Sequence, residues 1–139
     1  MIVIPVLSQG KYTEADPLCL RAIKILEWVL GAEHPDLAIS LGTRGQLLNA
    51  RGDYAGAEPL YRRAQEIFEK SLGPNHPYVV TALNDRAGLL MSQGKYGEAK
   101  PLFERSQAIR EKVLGLEHPD VAHSLNNRAE LQRVQVRTA

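Results

Sequence analysis

Gly10, Gly52 and Gly94, and the pairs His34-Pro35, His76-Pro77 and His118-Pro119, are each spaced by 42 residues. The register extends well beyond these marks. Residues 52–93 and 94–135 share 21 identities in 42 positions, and residues 10–51 and 52–93 share 17. A fixed period of this length specifies stacked supersecondary units, each burying its apolar face only against its neighbours. Such a chain builds a surface rather than an enclosed reaction pocket. The period divides residues 1–139 into a single array: a partial repeat 1–34, repeats 35–76 and 77–118, and a partial repeat 119–139.

Two apolar patterns recur inside each period. Ala57, Leu60, Tyr61, Ala64, Ile67, Phe68 and Leu72 form one stripe with steps of three and four, the spacing of a helix face. Val79, Val80, Leu83, Ala87, Leu90 and Met91 form the second. Between them Gly73-Pro-Asn-His-Pro77 stops one helix and starts the next, with Gly as the stop and Pro at the first helical position. Gly94-Lys-Tyr96 makes a second, tighter turn. Asp36 and Asp120 follow their His-Pro pairs in the first turn, where a carboxylate opposes the positive helix end. Six main helices are predicted, over residues 13–30, 35–50, 55–72, 77–92, 97–114 and 119–135. No segment alternates with the period of a strand. Pro17, Pro59 and Pro101 recur at or just after a first turn, where a proline costs least.

Seventeen basic and sixteen acidic residues leave a net charge of +1, without the basic face that nucleic acid or an anionic membrane requires. Cys19 is the single cysteine, so no intrachain disulfide forms. In the column of Tyr61 and Phe103 it reads as a small buried residue in a reducing, cytoplasmic compartment. The apolar start, Met1 to Leu7, lacks a basic leader and is too short to span a bilayer. Its register aligns Pro5–Gly10 with Leu89–Gly94, the end of a repeat helix. Both termini are therefore expected to be cuts or degenerate edges of a longer array. Histidines one repeat apart are too distant to share a metal ion, and they read as turn residues. No catalytic triad, phosphate-cradling glycine run or carboxylate pair stands apart from the repeat. Neither enzymatic activity nor a cofactor is expected.

Ala57-x3-Tyr61, Ala99-x3-Phe103 and Gly45-x2-Leu48 resemble the signature of tetratricopeptide repeats. The 42-residue unit is similar to their kinesin light chain subtype, through Gly-Lys-Tyr-x-Glu-Ala-x-Pro-Leu at 94–102 and Val-Leu-Gly-x-Glu-His-Pro-Asp-Val-Ala at 113–122. The resemblance covers residues 5–135. It implies an all-α, right-handed superhelical solenoid of antiparallel helix hairpins. The inner groove, lined by the first helix of each hairpin, would hold an extended peptide or a partner helix.

Helical geometry and the resemblance together place Gly42, Asn84 and Asn126 in one groove column. Ile39/Thr81/His123, Gln46/Gly88/Glu130 and Asn49/Met91/Arg133 lie beside it. An amide donates and accepts, so Asn84 and Asn126 can read a peptide main chain without reading its sequence. The alternative is a solvated or internally bonded polar face. The rung is missing at Gly42, and Asp85 stands where the next copy has Asn127. The clamp by which some tetratricopeptide domains grip a terminal carboxylate is absent, because Gly42, Gln46, His123 and Asn127 occupy its positions. His123 would add weak pH sensitivity to binding.

Arg44, Arg86 and Arg128 form a further column, expected to be held by carboxylates or helix-end carbonyls. The columns Glu27/Glu69/Glu111 and Arg21/Arg63/Arg105 lie on the other helix type. Leu20, Leu26 and Trp28 make the first hairpin unusually apolar. Either Met1–Leu7 fold back over this surface as a cap, or it docks another chain or domain. The function expected is a non-catalytic scaffold with a protein or peptide partner. The alternative is an architectural segment that self-associates end to end through uncapped repeat edges.

Overall fold

The computed structural model describes residues 3–138, with side chains from Glu14 to Val136. It separates into two compact units, Met1–Leu72 and Gly73–Ala139. The first holds α1 (Val3–Leu30), α2 (Pro35–Ala50) and α3 (Tyr54–Leu72). The second holds α4 (Pro77–Ser92), α5 (Tyr96–Leu114) and α6 (Pro119–Thr138). No strand occurs among the described residues. Within each unit consecutive helices pack on each other, α1 on α2 on α3 and α4 on α5 on α6.

The turns follow from glycine. Gly31, Gly52, Gly73, Gly94 and Gly115, one every 21 residues, all have φ between 75° and 94°. A side chain rarely adopts that conformation, which is why the spacing is kept. At the tight turns the chain closes back on the helix it has left. Asp53 N donates to Leu48 O at 2.8 Å and Lys95 N to Leu90 O at 2.8 Å. These bonds satisfy carbonyls that a helix end would otherwise leave bare.

Gly10 belongs to the same series and was expected to turn as Gly52 and Gly94 do. It does not: α1 runs unbroken from Val3, ten residues earlier than residue 13. A mid-helix glycine costs only about 1 kcal/mol. A turn is favoured over that only when the segment before it gains a packed partner. The continuous helix also overturns the proposed cap, because residues from Val3 onward prolong the axis of α1 instead of folding back over Leu20–Trp28. The side chains of Met1–Leu7 themselves lie outside the described residues. Pro59 and Pro101 occupy the sixth position of α3 and α5, just after the first turn as the sequence implied, whereas Pro17 is deeper, midway along α1; each removes one hydrogen bond from its helix.

The three periodic histidines cap helices. Nδ1 of His34, His76 and His118 accepts from the backbone N–H of Asp36, Tyr78 and Asp120 at 3.0–3.1 Å. Each satisfies one orphan donor, the role usually given to Ser or Asp. At the other helix type, Asp53 Oδ1 accepts from Gly56 N at 3.0 Å, whereas Lys95 gives α5 no side-chain cap.

The cores are the predicted columns. Leu37, Leu41, Ala57, Tyr61, Ala64 and Ile67 are buried in the first unit. In the second, Ala87, Leu90, Ala99, Phe103 and Leu131 form one cluster, with Met91, Tyr96 and Leu102 packed against it. Gly45 lies so close to Tyr61 that an added Cβ would stand 2.7 Å from the ring. Burial of one such Leu or Phe stabilises by about 1.5–3 kcal/mol.

Polar contacts tie the helices together. Arg44 on α2 donates to Asp16 on α1 at 2.7 Å, both half-buried. Arg63 on α3 lies 3.6 Å from Glu27 on α1. Arg128 on α6 donates to Gln107 at 2.9 Å and reaches Glu104 at 3.5 Å on α5. Arg44 and Arg128 are thus held by carboxylates, as expected. Arg110, where earlier copies carry Phe68 and Leu26, donates to Asp120 O and to the buried Ser124 Oγ.

Candidate functional site

Each helix that starts at a His-Pro pair has a packed side and an open side. On α2 the packed side is Ala38, Leu41, Gly45 and Leu48, all buried. The open side is Ile39, Gly42, Gln46 and Asn49, with steps of three and four. The glycines display the contrast directly. A Cβ at Gly45 would strike Tyr61, whereas one at Gly42 would meet nothing within 4 Å. On α4 the same is true of Gly88, in the middle of the stripe Thr81, Asn84, Gly88 and Met91. On α6 the stripe is His123, Asn126, Glu130 and Arg133, all exposed.

The side chains of these stripes differ in freedom. Gln46 is exposed and Asn49 half-buried on α2. Thr81 is exposed, its hydroxyl donating to Pro77 O at 3.3 Å in the preceding turn. Asn84 is half-buried, and its Oδ1 is buried without a hydrogen-bond partner. A buried amide carbonyl left without a donor costs about 1–3 kcal/mol. Asn126 and His123 are exposed, Asn127 is half-buried. Glu130 and Arg133 pair with each other at 2.6 Å. Met91 departs from its neighbours, because it packs against the core of the second unit. Its apolar, flexible thioether was the signal for that placement.

Sequence reasoning missed a cleft in the second unit. A cavity of about 210 Å³ opens between the start of α4 and the end of α5, lined by Val80, Thr81, Ile109, Arg110, Val113 and Leu114 among others. In the first unit the matching end is occupied by Lys70 and Ser71, which bond Glu33. Asn75 in place of Glu33 and Val113 in place of Ser71 were the readable signs.

Among the described residues no group of three His, Cys, Asp or Glu is placed to hold a metal ion. Cys19 is half-buried rather than buried. Burial pushes its thiol pKa up, the Asp16 carboxylate adds to this, and Arg44 opposes it. That is the direction of an unreactive thiol. Among the described residues no helix is long and apolar enough to cross a membrane.

The profile of the tetratricopeptide repeat matches residues 6–70, 42–90 and 78–135. No curated protein matches the chain. Among solved structures, BtubC (BKLC) from P. vanneervenii aligns with TM-score 0.81 at 22% identity, over 89% of this chain and 50% of that one. The nearly identical TPR-like repeats of a Podosopora anserina protein assigned to the kinesin light chains align with TM-score 0.78 at 26% identity, over 91% and 63%. A singly substituted form of that protein gives TM-score 0.77 at 27% identity, over 91% and 62%. The chain therefore spans half to somewhat under two thirds of the length of these structures.

Proposed function

Since this chain belongs to the tetratricopeptide repeat family, with repeats of the kinesin light chain type, we propose that it is a non-catalytic, cytoplasmic module that binds an extended peptide along the open stripes of α4 and α6. Tetratricopeptide repeats in general mediate protein–protein interaction. The observation that carries the finer reading is Asn84, whose side-chain carbonyl has no donor although it sits beside an open stretch of helix at Gly88. A small rotation of that amide presents an acceptor and a donor to a peptide main chain. Asn126 repeats the group one unit later, and Thr81 and His123 flank the two positions. Main-chain recognition gives affinity with little sequence preference, which suits a scaffold.

A peptide array tests this. The double variant Asn84→Ala/Asn126→Ala is expected to lose signal across unrelated peptides, by about thirtyfold in affinity if two hydrogen bonds at about 1 kcal/mol each are removed. Backbone N-methylation of a retained peptide should have the same effect on the wild-type chain. Equal retention by wild type and variant would remove the amide mechanism.

A further inference from the structure

One side of α6 repeats the packed side of α2 and α4 but carries no helix on it among the described residues. Ala122, Leu125, Ala129 and Gln132 correspond by register to Ala38, Leu41, Gly45 and Leu48, and to Val80, Leu83, Ala87 and Leu90. All eight of those earlier residues are buried. Leu125 by contrast is 50% exposed, against 1% for Leu41 and 0% for Leu83. The bare stripe faces a trough of about 570 Å³ that also takes in Arg128 and Val136.

α1 shows the complementary defect. Leu18, Ala22, Ile25 and Val29 correspond to Leu60, Ala64, Ile67 and Ser71, the side of α3 turned toward α2. Ser71 donates to Glu33 O in the turn before α2, and Tyr61, next to this stripe, lies against Gly45 of α2. Ile25 is 50% exposed, where Ile67 is 5% and Ile109 is 6%. Of the large apolar side chains described, the five most exposed are Trp28, Leu116, Val136, Leu18 and Val29. All five lie on α1, on α6 or on the turn that leads into α6.

We propose that these two surfaces bind each other in trans, α6 of one copy receiving α1 of a second copy in the geometry that α2 and α3 use within the chain. The internal pair supplies the register. Transposing the contacts of Lys70 and Ser71 with Glu33 sets Trp28 and Val29 of the second copy against Glu117 of the first, next to Leu116. The ion pair of the internal contact has no counterpart there, and the 74% exposed Leu116 supplies apolar surface beside it. That accounts for why Trp28 stands 90% exposed in a column otherwise held by lysine.

Such a contact is heterologous, joining unlike surfaces, so a pair still has one free surface of each kind with which to add further copies. It uses a different stripe of α6 from Asn126 and is independent of the peptide reading.

Light scattering across micromolar to submillimolar concentrations tests the proposal. The wild-type mass is expected to climb beyond two chains. Leu18→Glu/Ile25→Glu, blocked on α1, and Leu125→Glu/Ala129→Glu, blocked on α6, should each weaken association at least about tenfold, as charges placed in an interface core do. The positions are exposed or lightly packed, and circular dichroism of each variant verifies folding. Mixing the two blocked variants should restore one contact and give a complex that stops at two chains. Asn84→Ala/Asn126→Ala should assemble as wild type does. A wild-type chain that stays monomeric throughout, blocked variants that assemble like wild type, or a mixture that forms no pair would each overturn the proposal.

Discussion

The α2–α3 and α4–α5 pairs follow the same repeat, with 16 identities in 38 positions, and they close differently at one end. In the first pair Lys70 and Ser71 reach across to Glu33, and Asp53 caps α3. In the second the corresponding end opens as a cleft, and α5 begins at Lys95 with no side-chain cap. Along their middles the two pairs match, with Leu41 and Leu83, or Ala57 and Ala99, buried alike. The repeat therefore preserves the apolar columns that hold helices together and lets its rim vary. The reason is energetic. A buried leucine is worth several times an exposed ion pair or a cap, so the rim is where substitutions cost least.

The strongest way to break this comparison is to truncate the shared column. Leu41→Ala and Leu83→Ala should each cost about 2–5 kcal/mol, seen as lower midpoints in circular dichroism melts. An unchanged midpoint for either one would mean that the two middles are not equivalent. A smaller effect is expected where α3 has Ala64 and α5 has Ser106, whose buried hydroxyl has no hydrogen-bond partner. Ser106→Ala should raise stability by about 1 kcal/mol and Ala64→Ser should lower it by a similar amount, measured by urea titration.

The caps come next. Asp53→Ala should cost about 1 kcal/mol, and Lys95→Asp, which places an acid three residues before Glu98, should gain about as much. Loss of stability in Lys95→Asp would show that α5 starts differently from α3. Smallest of all is the ion pair. Lys70 and Glu33 are both more than half exposed, so Glu33→Gln should change stability by no more than about 1 kcal/mol, and that change should vanish in high salt.

Much of this molecule was legible beforehand because its signals are local. Five of the six predicted helices start within one residue of their observed positions. The stop at a glycine, the proline at a first position and the apolar period each act over a few residues of chain. The Arg44 contact was half legible. The column was visible, and Asp16/Glu58/Lys100 held the information that the partner changes between copies. Arg128, facing Lys100 in that column, is held by Glu104 and Gln107 instead. Asn84 could be placed on an open side from spacing, whereas its unpartnered carbonyl depends on atoms from elsewhere in the fold. Met91 had the right spacing for that side and still packs inward, against the cluster of Ala87, Leu90, Ala99, Phe103 and Leu131.

By itself the sequence determined the hairpin unit: which residues are helical, where most turns fall, and which columns are apolar enough to be buried. Only the tertiary structure decided which copies of a column are covered. Leu83 and Leu125 are the same residue in the same register, yet one is enclosed and the other half exposed, since burial belongs to the neighbour that arrives and not to the residue that waits. Gly10 and Gly94 differ for the same reason. A left-handed turn is kept only where packing beyond it outweighs the hydrogen bonds of a helix that simply continues.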